Sequence, residues 1–524
     1  MPESATPEKQ ARGRSERFLI NVLWTWTGVA ANLFVGLILS PYIIRHLGAE
    51  RYGIWALIFS LLDYLWFFDL GFNTAVCNFC ARFLAVKDHR KINETMNTTV
   101  AYFSLIAVFI WGLAPVVSTR AHRFFQVSPE HQGEFSTLVL ITMLSWGLCV
   151  ILHPFVSALD GFQRFDLSSR VWVGTLVARS VGYALVLKLG YGLVQMAIVF
   201  VAMQVLFYTL NFLNFRHVFP HLKLSLRYAR PAMFREIMRY GLRSFVASSS
   251  SLALGQSGPV LIGHYLPAAA VGFYALPSRL LEYAVDAVSR VALVTRSSAA
   301  ELSVAGRRED TVALGIYANR YCLTLFLPLA VFLAVYGRPL LVRWVGEAFA
   351  AHSAPLLPVF LACYTLVQAA QYNSGSILFG LSKHGGYARG LAVEAVLYVS
   401  GLVWVVPRYG ILGAACVAGV CMAVTRGVYT PWLVCNALDY PFLAFMRGIY
   451  VRPLATAVPV AALAWLLKTR WVAGNTWVEL IMAGCVCALV YSALAFYTCV
   501  EPDHRMVLLR RIPVLGPRLR DGRA

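Results

Sequence analysis

Gly53-Ile54-Trp55-Ala56-Leu57, followed by Leu61-Leu62-Asp63-Tyr64, returns 219 residues later as Gly272-Phe273-Tyr274-Ala275-Leu276, followed by Leu280-Leu281-Glu282-Tyr283. The spacing is the same in both copies, with no gap. A second echo, Tyr191-Gly192-Leu193 against Tyr409-Gly410-Ile411, has an offset of 218. Each Gly-aromatic block opens an apolar stretch with an acid near its middle. The expectation is a duplicated membrane unit carrying matched carboxylates.

Composition sets the solvent. The 524-residue chain is 59% hydrophobic and only 13% charged, too little charge for a soluble fold of this size. Fourteen apolar runs occur between residues 18 and 500, most near the roughly 20 residues that cross a bilayer core. This predicts an all-α integral membrane protein of about 14 transmembrane helices: two parallel six-helix lobes and two extra C-terminal helices. The boundaries read as an N-terminal tail (1–17), an N-lobe (18–215), a basic linker with an amphipathic helix (216–240), a C-lobe (241–436), two further spans (437–500) and a basic tail (501–524). The second and eighth runs, about 52–80 and 270–297, are longer than a span needs and project toward the cytoplasm. The first run, about 27 residues without a small-residue cleavage site, is not a signal peptide. Most of the eleven cysteines sit in apolar runs, and Cys77-Asn78-Phe79-Cys80 has no companion pair, so they read as packing residues and no metal or other cofactor is expected.

The net charge of +20 is mostly a statement of orientation. With both termini inside, cytoplasmic segments hold 31 of the 45 Lys and Arg residues and outside segments 10. Residues 216–243 form the longest basic connection. There Met233, Phe234, Ile237, Met238 and Leu242 share a helical face, and Arg235, Arg239 and Arg243 another. This reads as a helix on the anionic inner leaflet. Four arginines remain inside spans: Arg179, Arg279, Arg290 and Arg426.

Charges in hydrocarbon are costly and normally face a cavity or a partner. In the eighth run Arg279, Glu282, Asp286, Arg290 and Ser297 fall in one stripe roughly 80° wide. It runs from mid-membrane at Glu282 toward the cytoplasmic side at Arg290. The same spacing also allows ion pairs that only hold a helix together. In the second run Ser60, Asp63, Thr74 and Asn78 form a milder face. Asn21, Thr25, Gly28 and Asn32 form a stripe in the first run, and Ser248 to Ser251, Gln256 and Ser257 lie in the seventh. Such residues also serve as packing glue, but their concentration in the first two spans of each repeat suggests one shared cavity. Asp69, in Asp69-Leu70-Gly71-Phe72, points elsewhere and either caps backbone or binds a neighbouring span. Arg179, Glu394 and Arg426 are isolated, and Glu394 suits either arginine as a partner. No GxSxG, Walker loop or His/Cys cluster suggests an enzyme.

The stretch from Pro41-Tyr42-Ile43-Ile44-Arg45-His46-Leu47-Gly48 through Tyr52-Gly53-Ile54-Trp55, followed by Asp69-Leu70-Gly71-Phe72, resembles the polysaccharide transporter family. That family includes the O-antigen flippases and belongs to the multidrug/oligosaccharidyl-lipid/polysaccharide (MOP) exporter superfamily. The resemblance implies two six-helix lobes around a cavity, and movement of an isoprenoid (undecaprenyl) diphosphate-linked oligosaccharide to the outer leaflet of a bacterial inner membrane. Cavity arginines would meet the diphosphate, because guanidinium binds phosphate oxygens in bidentate fashion. Arg279 and Arg290 fit first, with Arg179 and Arg426 further candidates. Asp63, Glu282, Asp286, Asn32, Asn78 and Gln256 would be the other polar groups of the cavity, some taking up coupling protons. Partners implied are the lipid-linked oligosaccharide, anionic membrane lipids, and glycan polymerase and chain-length regulator proteins, with no nucleic acid. A cation-coupled multidrug exporter of the same superfamily is the alternative, kept open by Glu282 and Asp286. An integral-membrane glycan polymerase is disfavoured, since no outside segment exceeds about 20 residues on these span boundaries.

Overall fold

The computed structural model describes residues 7–511, with side chains except those of 7–26, 29–30, 243–244, 286–294 and 508–511. Every described element is helical. In chain order the α-helices are α1 (Pro7–Tyr64), α2 (Phe72–Ala85), α3 (His89–Phe124), α4 (Gln132–Gly161), α5 (Phe165–Lys188), α6 (Leu193–Val218), α7 (Pro231–Tyr265) and α8 (Ala268–Val304). They continue as α9 (Arg308–Val345), α10 (Glu347–Ser353), α11 (Leu357–Cys363), α12 (Ala370–Gly380), α13 (His384–Met422), α14 (Thr430–Leu438), α15 (Phe442–Arg470), α16 (Trp477–Thr498) and α17 (Pro502–Arg511). Ten described helical segments are long and apolar enough to cross a membrane. One of them, His384–Leu438, is 55 residues long and contains two of the fourteen apolar runs.

The helix boundaries follow from local chemistry. Helix α1 begins at Pro7 inside the segment read as a tail; proline suits the first helical turn, and the Glu, Lys, Gln, Ala and Arg residues that follow are good helix formers. It turns a corner at Gly48 (φ 80°), which separates the first two apolar runs with a single residue. Gly410 (φ 62°) does the same inside α13. Only glycine reaches such a backbone conformation without a steric cost. Of the Tyr-Gly echo, Tyr191-Gly192 lies in the link between α5 and α6, and Tyr409-Gly410 bends α13.

The second apolar run is not one helix. After Tyr64 a tight 3-10 turn covers Leu65–Asp69, Leu70 and Gly71 take left-handed conformations, and the helix restarts at Phe72. The Asp69-Leu70-Gly71-Phe72 motif is the break itself. Asp69 accepts hydrogen bonds from Gly71 N (3.2 Å), Asn73 N (3.2 Å) and Asn73 Nδ2 (2.5 Å). Tyr102 donates to the freed Phe68 carbonyl at 2.8 Å. A broken helix survives inside a bilayer only where protein satisfies its backbone in this way. Asn73 Oδ1 in turn contacts His153 Nδ1 (2.7 Å) and accepts from Ser157 (3.0 Å). Gly71 also lies against Gly241 of α7, where a Cβ would come within 2.8 Å of backbone.

Two compact units result. The first comprises residues 1–275 with 402–410, the second 276–401 with 411–524. In the first unit, the repeated glycines meet each other. A Cβ on Gly53 would lie 2.6 Å from the carbonyl carbon of Ala268, and one on Gly272 would lie 2.9 Å from the Tyr52 ring and 3.4 Å from Gly53 N. The connection after α6 is strapped along α3. Asn93 accepts from Lys223 N and donates to the His221 carbonyl; one turn on, Asn97 accepts from Ser225 N and donates to the Lys223 carbonyl. Thr98 accepts from Arg230 N. The amphipathic stretch 231–242 then forms the first turns of α7, with Met233 and Ile237 buried and Leu242 exposed.

In the second unit α17 docks through charge. Arg320, on α9 and 7% exposed, donates to Glu501 (2.6 Å) and to the Gly448 carbonyl (2.8 Å). Arg452 reaches the same carboxylate at 3.1 Å. Tyr321 and His504 are 2.7 Å apart.

Candidate functional site

Asp63 sits in the last turn of α1, just before the helix breaks. Gln256 of α7 donates to its carboxylate at 2.8 Å, and the next residues along, Tyr64 and Ser257, contact at 2.5 Å. Asp63 of the second run thus meets Gln256 of the seventh, with Tyr64 and Ser257 as an adjacent pair. Asp63 also lines a cavity of about 80 Å³ walled by Phe59, Trp66, Trp146, Phe200 and Tyr208. The Trp146 indole N–H is buried and has no hydrogen-bond partner among the described residues. Arg179 lies over the Phe200 ring, 5.6 Å from its centre, a cation–π arrangement. Asn32 on α1 and Asn78 on α2 are half-buried.

Four charges of the second unit form two pairs of different character. Arg279 donates to Glu282 at 3.1 Å, with side chains 65% and 41% exposed. Arg426 donates to Glu394 at 3.1 Å, with side chains 23% and 2% exposed. The choice of partner for Glu394 thus falls on Arg426. Arg426 also donates to Gln368 Oε1 at 2.8 Å, and the Tyr364 hydroxyl lies 3.4 Å from the other Glu282 oxygen. The side chains of Asp286 and Arg290 lie outside the described residues, as do those of Asn21 and Thr25.

Tyr364, Gln368 and Arg426 share an unusual backbone. Tyr364–Ala369 and Ala423–Tyr429 are π turns, wider than an α-helix by about one residue per turn and often found at functional sites. The two turns approach each other at Val367 and Gly427. Tyr450 donates to the Leu366 carbonyl (2.5 Å), and the Thr425 carbonyl accepts both the backbone N–H and the hydroxyl of Thr430 (2.9 Å to the hydroxyl). Sequence reasoning missed Tyr364 and Gln368, because their apolar run carries no charge; the signal that could have found them is the spacing of Tyr364, Gln368 and Gln371 along one helical face.

These features define an all-helical membrane protein. The fold is that of the MOP exporters. Over 91% of this chain and 98% of the other, it superposes on the lipid II flippase MurJ in an inward closed conformation, with a TM-score of 0.73 at 13% identity. An inward-facing multidrug resistance MATE family transporter aligns over 79% and 95%, with a TM-score of 0.67 at 14% identity. The sequence itself is specific: residues 18–295 match the family described as polysaccharide biosynthesis protein, and the chain belongs to that family. It is 22% identical to the uncharacterized membrane protein EpsK of Bacillus subtilis (strain 168) over 94% of this chain and 98% of that one. It is 20% identical to a putative O-antigen transporter of Shigella flexneri over 75% and 92%.

Proposed function

We propose that this protein is a flippase. It carries an isoprenoid diphosphate-linked oligosaccharide from the cytoplasmic to the outer leaflet of a bacterial inner membrane by alternating access, for O-antigen, capsule or exopolysaccharide assembly. The observation that carries this reading is the exposed Arg279 guanidinium, held by one turn of helix to Glu282 in a long apolar element. An accessible arginine in a membrane helix attracts a phosphate dianion, and its fork matches two phosphate oxygens. Glu282 competes for it, so the anion can be released as well as bound. Arg290 would extend the site toward the cytoplasm; Asp63 and Gln256 would serve coupling in the first unit. Both termini are cytoplasmic in this reading, and the product passes to polymerase and chain-length regulator proteins outside.

Deleting the gene should cause one lipid-linked oligosaccharide to accumulate in the inner leaflet. Arg279→Ala at normal abundance should reproduce that accumulation, and Arg279→Lys should restore export only in part. Wild-type surface glycan in Arg279→Ala cells would reject the role of Arg279. One observation favours the multidrug reading: Asp63 in an aromatic cavity suits an organic cation. Drug susceptibility of the deletion strain, with intact surface glycan, would be its signature.

A further inference from the structure

The two ion pairs of the second unit are linked. From Arg279 the contacts run to Glu282 (3.1 Å) and on to the Tyr364 hydroxyl (3.4 Å). Tyr364 and Gln368 are four residues apart on one π turn. From Gln368 they continue to Arg426 (2.8 Å), on the facing π turn, and to Glu394 (3.1 Å). Among the four charged side chains exposure falls from 65% at Arg279 through 41% at Glu282 and 23% at Arg426 to 2% at Glu394. The Arg279 end of the line is exposed and the Glu394 end is buried.

We propose that Tyr364, Gln368 and Arg426 form a polar relay that sets how firmly Glu282 holds Arg279, and are thus positioning residues for a phosphate group arriving at Arg279. The inference rests on the reading of Arg279 as an anion site. A phosphate that takes the guanidinium leaves Glu282 short of a donor. The Tyr364 hydroxyl is at hand but too far for a good bond, which for O–H···O lies near 2.7–2.8 Å. Closing that distance pulls on the π turn that also carries Gln368. Gln368 is one of two side chains on the Arg426 fork, so its displacement shifts Arg426 toward Glu394. Coupling of this kind is reciprocal: what disturbs Arg426 must change phosphate affinity at Arg279. The first π turn suits such a joint, because its Leu366 carbonyl is held by Tyr450 from another helix rather than only within its own. Arg426 acts on the ligand in this scheme through Gln368 and Tyr364, not by touching it.

The test uses the full-length protein in lipid nanodiscs, with farnesyl diphosphate as a soluble isoprenoid diphosphate probe. Kd and thermal unfolding midpoint are measured for each variant. The wild type should bind, and Arg279→Gln should abolish binding. Tyr364→Phe and Gln368→Leu should each raise Kd about fivefold, the lower end of ordinary coupling, at an unchanged midpoint. Combined, they should do little more than either alone, because they act in series. Arg426→Lys keeps a charge beside Glu394 but cannot fork, and should raise Kd similarly. If it does not fold, Tyr364→Phe decides, since it removes one hydroxyl from a half-buried ring. A merely structural role would lower the midpoint and leave Kd alone. Wild-type Kd in both Tyr364→Phe and Gln368→Leu, with Arg279→Gln still dead, overturns the relay only. No binding by the wild type, or binding insensitive to Arg279→Gln, overturns the anion site and the relay with it.

Discussion

Gly53→Ala and Gly272→Ala should be unequal in effect although the residues are equivalent in the repeat. At Gly53 the new methyl lies 2.6 Å from the Ala268 carbonyl carbon, and closer still to its oxygen. Carbon atoms settle at about 3.5–4.0 Å, so the backbones must part by about 1 Å, and backbone cannot swing aside. Overpacking costs typically 1–3 kcal/mol, and this case belongs at the top, about 3 kcal/mol. At Gly272 the obstacle is the Tyr52 ring at 2.9 Å, with backbone beyond 3.3 Å. A ring can tilt, so the cost should be about 1 kcal/mol. Detergent-solubilised membrane proteins commonly unfold irreversibly, so midpoints must be compared at one scan rate. At roughly 2–4 °C per kcal/mol, Gly53→Ala should lose about 6–12 °C and Gly272→Ala about 3 °C. The double variant should be no worse than Gly53→Ala, because the first methyl already opens the contact the second would fill. A wild-type midpoint for Gly53→Ala, or a larger loss at Gly272, refutes the reasoning.

Other expectations concern the ends and the break. Asp69→Ala strands the Gly71 and Asn73 N–H groups and the Asn73 amide, at about 1–3 kcal/mol each; a large drop in unfolding midpoint should follow, and Asp69→Asn should recover part of it. The hydrogen bond from Arg320, then the charges of Arg320 and Arg452, hold the Glu501 carboxyl below its ordinary range. Its contribution to docking α17 is therefore complete above the ordinary carboxylate value and is lost as pH falls through the lowered one. Hydrogen exchange in residues 502–511 should accelerate there, and Glu501→Gln should be fast already at neutral pH. Arg230→Cys should react with an impermeant maleimide only from the cytoplasmic side; labelling of intact cells from outside would invert the topology.

Much of the fold was legible because the bilayer imposes it. Long apolar runs must be helices, and the 219-residue echo singled out Gly53 and Gly272, which the fold brings together. The interruptions were less visible. Nothing in Leu65-Trp66-Phe67-Phe68 announces a 3-10 turn; only Asp69 and Gly71 hint at it, through capping and a left-handed backbone. The π turns leave no local trace, since the extra residue they hold is indistinguishable in sequence from any other apolar position. For the site, the sequence isolated Glu394 and Arg426 as costly charges, but their pairing depends on tertiary packing. Asn93 and Asn97 read as ordinary polar helix residues, although together they bind the α6–α7 connection as a strand edge would.

The contact between Gly53 and Gly272 bears on the history of the chain. Two copies of a duplicated segment usually drift apart independently, each answering to its own surroundings. Here each copy is part of the other's surroundings: a side chain gained in one must be accommodated by the backbone of its twin. Change at this point is therefore constrained by the twin, most severely at Gly53, where backbone stands in the way. The longest stretch in which the echo can still be read is one in which the twins hold one another in place.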